Sequence, residues 1–301
     1  MKLSKLLKII VSVAIALIVL GGSITLSAFA AAGWDITFMS AVTYTEKTYT
    51  ERTENVINRI DIDYSNAEIQ IVTGETDSLC VEYPQPMNRK GEKASEITLT
   101  DENGTLTVRE DVSWKQNFLL FNWNYLPPKL TVRIPAERTL QLTVATNNGS
   151  ITLHGENAQF STVSLTTNNG SLQIDKVTAQ HLTAKTNNGS IGVANVSVEN
   201  KTCLKTNNGS ILFNGSFNAN ECEAETNVGS VETRNGYIAA QTVRLSTNVG
   251  SLTITLQGTR QDYTATIEHN VGKANILSGG SGAKTLHLHT DVGEINVSFT
   301  A

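Results

Sequence analysis

Thr146-Asn147-Asn148-Gly149-Ser150 recurs at Thr167–Ser171, Thr186–Ser190 and Thr206–Ser210. It returns as Thr226-Asn227-Val228-Gly229-Ser230, Thr247–Ser251, His269-Asn270-Val271-Gly272-Lys273 and Thr290-Asp291-Val292-Gly293-Glu294. The glycines of these copies, Gly149, Gly170, Gly189, Gly209, Gly229, Gly250, Gly272 and Gly293, are 21, 19, 20, 20, 21, 22 and 21 residues apart. A fixed period in this range is the signature of stacked repeats.

Apolar residues keep a constant frame around that motif. Counting from the first Asn, the third residue back is Val144, Leu165, Ala184, Leu204, Ala224, Leu245, Ile267 or Leu288, and the fourth residue on is Ile151, Leu172, Ile191, Ile211, Val231, Leu252, Ala274 or Ile295. Alternation with period two on both sides predicts two short strands per repeat, each burying one face. The frame extends back, more weakly, to Tyr64-Ser65-Asn66-Ala67-Glu68 and Asp101-Glu102-Asn103-Gly104-Thr105.

Ten such turns predict an all-β fold: a single-stranded β-solenoid (β-helix) of about ten coils, period about 20 residues, roughly 50 Å long at about 4.8 Å per coil. A leucine-rich repeat would need an apolar residue where Gly170 stands, and an up-and-down barrel gives no reason for identical corners.

Glycine at the corner supplies a positive φ without steric cost, and Asn is the non-glycine residue best suited to the left-handed region. Identical side chains on successive coils stack, so Asn147, Asn168, Asn187, Asn207, Asn227, Asn248 and Asn270 are expected to form a structural amide ladder that satisfies buried polar groups and fixes register. Asp291 would occupy the last coil. The second ladder position changes from Asn148, Asn169, Asn188 and Asn208 to Val228, Val249, Val271 and Val292, giving part of the body a more apolar corner.

Ahead of the repeats, Ile9–Trp34 is free of charge for 26 residues, and Lys2, Lys5 and Lys8 precede it. A helix of that length, about 39 Å, exceeds the hydrocarbon core, and the lysines place residues 1–8 in the cytoplasm and the body outside. Residues 9–34 are thus read as a transmembrane anchor. Signal peptide is the competing reading, with Leu6–Leu20 as apolar core and Ala28-Phe29-Ala30 as cleavage box. Residues 35–55 form a linker and 56–301 the solenoid, a single-pass arrangement at the bacterial cytoplasmic membrane with the C-terminal body extracytoplasmic.

The composition narrows the function. Charged residues make up 17% of the chain and aromatics 6%, with a net charge of -5. A mildly acidic body lacks the basic footprint of a nucleic-acid binder. Three cysteines do not form a closed disulfide set; Cys222 is expected in the core, with Cys203 on the opposite face.

On the outward face, two positions before the corner Asn, the series is Ala145, Thr166, Lys185, Lys205, Glu225, Ser246, Glu268 and His289. Lys205 with Glu223 and Glu225 reads as a solvated ion-pair cluster, with no nucleophile, base and orienter converging there. His287 and His289 share a face, but two ligands are too few for a dedicated metal site. No catalytic residue, cofactor or metal is expected.

An irregular insert, 112–128, holds Trp114, Phe118, Phe121, Trp123 and Tyr125 ahead of Pro127-Pro128. Aromatics on a loop suit capture of a sugar or protein, and they equally suit a cover over the open end of the solenoid. They are the candidate binding residues.

The basic-then-apolar N-terminus, Gly33-Trp34-Asp35, Glu46-Lys47-Thr48-Tyr49, the strand Leu130-Thr131-Val132-Arg133-Ile134-Pro135 and the Thr-Asn-Asn-Gly-Ser-Ile repeats together resemble a bacterial family of unknown function usually labelled putative adhesin. The resemblance covers nearly the whole chain. It implies a membrane-anchored envelope protein of β-strand repeats, linked to envelope-stress systems, and brings no catalytic residues. The expected function is a non-enzymatic extracytoplasmic rod for adhesion or interaction, with an envelope protein or surface glycan as partner. A regulatory component of an envelope-stress response is the alternative, and a carbohydrate-active β-helix enzyme the remotest reading.

Overall fold

The computed structural model describes residues 5–31, 42–52, 56–74, 76–88, 90–93, 95–111, 128–156 and 158–300. Trp114, Phe118, Phe121, Trp123 and Tyr125 lie outside the described residues. The chain divides into two compact units.

One unit comprises Met1–Thr43, Pro86–Ala94 and Ser113–Leu126. Its main described element is one apolar α-helix, Lys5–Ala31, in which Ile10–Ser27 is apolar enough and long enough to cross a membrane. Hydroxyls in the C-terminal part of that helix turn inward on its own backbone: those of Thr25 and Ser27 donate to the carbonyls of Gly21 and Ser23, each at 2.8 Å. Such bonds leave fewer polar groups in need of water.

The other unit, Tyr44–Gln85, Ser95–Val112 and Pro127–Ala301, is built mostly of strand. Nineteen strands among the described residues join in one sheet. Strand Gln159–Asn169 pairs in parallel with Thr139–Asn148 on one side and Thr178–Asn188 on the other, so Leu165 lies between Val144 and Ala184. Past the corner, Leu172–Asp175 pairs in parallel with Ile151–His154 and with Ile191 to Ala194. Pairing runs through the bend itself, where Gly149 N donates to Asn169 O and Gly170 N to Asn188 O, both at 2.9 Å.

The core follows from the alternation. Val144, Leu165, Ala184, Leu204, Ala224, Leu245 and Leu288 are buried on one side, and Ile151, Leu172, Ile191, Ile211, Val231, Leu252 and Ile295 on the other. Each fully buried aliphatic of this kind contributes about 1.5 to 3 kcal/mol of transfer free energy. Two residues past Val231, the Thr233 hydroxyl accepts a hydrogen bond from Thr255 N at 2.6 Å.

Three features depart from the sequence expectation. The Asn103 turn belongs to a hairpin: Glu96–Glu102 and Thr105–Asp111 run antiparallel across it. Asn103 and Gly104 both hold a positive φ, 51° and 72°, the two-residue geometry that matches the twist of a β-hairpin. The second arm then pairs in parallel with Arg59–Asn66, whose other edge meets Thr139–Asn148.

The second departure is in strand order. Thr242 to Val249 pairs with Thr285 to Val292, and Tyr263–Val271 lies on the far side of that later strand. Asp291 is therefore interior and Asn270 sits in the last strand of this row, the reverse of the expectation. The connector explains why. Arg260 donates to the carbonyls of Tyr263, Leu277 and Gly279 at 2.9 Å, and Ala265 and Gly279 exchange backbone hydrogen bonds of 2.9 and 2.8 Å. The chain after Val271 thus folds back along the outer edge of Tyr263–Val271, covering the part around Ala265 and Ile267 of an edge that would otherwise be open.

The third is a second series of bends that no repeated residue announces. Lys176, Asn195, Gly215 and Asn235 all take φ between 52° and 73° on successive turns of the chain.

Candidate binding face on the parallel sheet

The corners carry three hydrogen-bonded rows. In the first, Asn168 Nδ2 donates to Asn147 Oδ1 and Asn187 Nδ2 to Asn168 Oδ1, both at 2.8 Å, and the row continues through Asn207 (3.0 Å), Asn227 (3.2 Å) and Asn248 (3.5 Å). Asn270 Nδ2 donates to Asp291 Oδ1 at 2.7 Å. A parallel row joins Asn66, Asn148, Asn169, Asn188 and Asn208 at 2.7 to 2.9 Å. Most of these amides are exposed, and their residues stay within the strands without the left-handed backbone the sequence suggested.

The buried polar group at the corner is the threonine that opens the motif. Thr167, Thr186, Thr206, Thr226 and Thr247 are at most 4% exposed, and each hydroxyl donates at 2.8 to 3.0 Å to a corner glycine carbonyl, from Gly149, Gly170, Gly189, Gly209 and Gly229. Sequence reasoning passed over these threonines. Threonine opens seven of the eight motif copies, with His269 the exception, beside outward positions that vary freely, and that was the available signal.

Glycine is required by stacking as much as by φ. Gly189 has φ 156°, but a Cβ there would also lie 2.0 Å from the carbonyl oxygen of Gly170. Gly170 itself is outside the left-handed range, yet its Cβ would meet Gly149 O at the same distance.

Away from the corner the outer sheet face is polar. Lys205 Nζ lies 2.8 Å from Glu225, whereas Glu223 turns to Lys201 at 2.9 Å, which also holds Glu221 at 3.1 Å. These carboxylates hold the Lys201 and Lys205 ammonium groups above their ordinary pKa. His289 lies between Glu268, 3.3 Å from Nδ1, and Asp291, 3.5 Å from Nε2. Among the described residues no group of three or more His, Cys, Asp or Glu is placed to hold a metal ion. Cys222 is fully buried, which pushes its thiol pKa up, and Cys203 is half-buried; both are free thiols.

A groove of about 240 Å³ opens on this face, lined by Glu223, Arg244, Ser246, Thr266, Glu268, His287 and His289 together with the apolar Leu245 and Leu288. It forms where the short side chains of Ser246 and Thr266 sit among longer ones. The swapped strand order makes it possible, since Lys284–Val292 brings His287 between Arg244 and Thr266 and His289 between Ser246 and Glu268. The arrangement offers donors and acceptors for a polar ligand.

Solved structures similar to this chain include a putative adhesin from Bacteroides fragilis, 17% identical over 85% of this chain and 97% of that one, with a TM-score of 0.47. Another, from Parabacteroides distasonis and likewise described as a putative adhesin, is 14% identical over 86% and 97% of the two chains, with a TM-score of 0.44. A putative lipid binding protein from the same organism is 14% identical over 85% and 95%, with a TM-score of 0.30. No curated protein matches the chain. The sequence profile of the Toastrack DUF4097 family matches residues 57–300, most of the chain and the whole run of repeats, and the protein belongs to that family.

Proposed function

We propose that this chain is a non-enzymatic protein of the bacterial cell envelope. In this reading the apolar helix Lys5–Ala31 is a single-pass anchor, and an exported β-solenoid rod presents a polar sheet face to an envelope protein or surface glycan. The observation that carries the reading is the outer face: a groove lined by charged and hydroxyl groups on a sheet whose corners repeat the same hydrogen bonds from coil to coil. Register supports the rod, since partners such as Thr167 and Thr186, or Thr206 and Thr226, recur at about the motif spacing. With the Asn103 turn in a hairpin, nine corners remain to stack.

The test is capture of the full-length tagged protein from cells cross-linked before lysis. Surface polymers or surface proteins retained on it support the reading. Membrane signalling proteins alone would replace it with a regulatory role in envelope stress, and cytoplasmic proteins alone would end it.

A further inference from the structure

Arg244 and His287 are register partners on adjacent parallel strands, and both line the outer-face groove. The carboxylates around them are engaged elsewhere. Lys201 holds Glu223 and Glu221, Lys205 holds Glu225, and Glu268 faces His289. Arg244 is left with one distant approach, Nε to Glu221 Oε1 at 3.8 Å, beyond hydrogen-bond range. No hydrogen bond or ion pair within the described residues is made by His287. A guanidinium carries five donors in a planar fork suited to an oxyanion, and an imidazole supplies a further donor.

From this geometry we propose that the groove binds one singly charged oxyanion group, a carboxylate or phosphodiester, carried on a hydroxyl-bearing envelope polymer. Arg244 and His287 take the anion. The hydroxyls of Ser246 and Thr266 line the remaining space and suit neighbouring hydroxyls of the ligand. The single charge follows from Glu223 and Glu268 in the same wall, which repel a second negative charge. A volume near 240 Å³ suits one sugar or glycerol unit of a chain. The proposal rests on the envelope-binding reading above and names the ligand chemistry of its face.

The experiment uses the full chain, isotope-labelled at histidine, in nanodiscs of uncharged phosphatidylcholine. The imidazole signals of His287 and His289 are followed during titration with methyl glucuronide, glycerophosphoglycerol and, as the neutral control, methyl glucoside. The expected result is a saturable shift of His287 with at least one of the two anions and none with the glucoside. Arg244→Gln weakens that binding by about tenfold or more, while Lys185→Gln, on the same face outside the groove, leaves it unchanged. Melting curves of the variants confirm that the fold is intact.

A glucoside response equal to that of the anions, or full affinity in Arg244→Gln, would overturn the proposal. Capture from cross-linked cells separates it from the broader reading. Retention of envelope material by wild type without an anion response removes only this ligand assignment, whereas loss of all envelope capture removes the functional reading itself.

Discussion

The Thr290 hydroxyl donates to the carbonyl of Gly250 at 3.0 Å, reaching 40 residues back along the chain, whereas Thr167, Thr186, Thr206, Thr226 and Thr247 make the same bond across 16 to 18. One hydrogen bond thus records that the final strand pair is threaded between two earlier turns. The same threading sets His287 beside Arg244 and creates the groove on the outer face.

Ending the chain at Ala283 should therefore do more harm than loss of a terminal repeat. Strand Tyr263–Val271 would lose its partner Lys284–Val292, and Thr242 to Val249 would become an open edge. The expected outcome is early melting with aggregation, read by circular dichroism and light scattering. A truncated protein that melts like the full chain would refute the threaded order.

Glycine replacements separate two explanations of the corner. Gly189→Ala and Gly170→Ala should both destabilise by about 3 kcal/mol or more, because either Cβ would lie 2.0 Å from a carbonyl oxygen of the preceding corner. If positive φ alone demanded glycine, Gly170→Ala would melt near wild type.

The predominance of strand and the apolar N-terminal helix were legible because burial constrains them directly. Val144, Ile151 and their equivalents must be apolar wherever they sit in the stack, and an uncharged run of 26 residues has few folded destinations in water. Position within the stack has no such signature. Asn270 and Asp291 sit in nearly equivalent motifs, and their order depends on Arg260 and the Ser278–Gly282 connector, which belong to no period. Asn103-Gly104 misled because Asn-Gly suits a hairpin turn as well as a stacked corner. The bends at Lys176, Asn195, Gly215 and Asn235 share a conformation without sharing a residue. Arg244 and His287 meet only through the strand order, so their groove was beyond the reach of spacing arguments.

Threonine at the corner should matter more than the asparagine beside it. Thr206 is 1% exposed and donates to Gly189 O at 2.8 Å, so Thr206→Val leaves that carbonyl short of a partner and should cost about 1 to 3 kcal/mol. Asn207→Ala removes a far more accessible amide and should cost about 1 kcal/mol or less. Thermal unfolding of the two variants gives the order, and a larger loss for Asn207→Ala would contradict it.

Glu110 makes stability depend on pH. Burial raises its pKa above the ordinary 4.5, and hydrogen bonds from Ser95 Oγ and Ser65 N, both 3.0 Å, oppose the shift without cancelling it. A carboxyl whose folded pKa is raised stabilises the fold fully below its unfolded pKa, and that contribution disappears as pH rises through the folded value. Glu110→Gln should therefore melt higher than wild type at pH above that window and approach it under acid conditions. Equal differences at every pH would show that the buried charge is not the cause.

The central claim, an exported body tethered by the first helix, is tested most directly by adding protease to intact protoplasts carrying the full chain with a tag at each end. The account predicts loss of the C-terminal tag and of the β body, with the N-terminal tag surviving on a short membrane-protected fragment. A C-terminal tag that stays protected until the membrane is dissolved would contradict it.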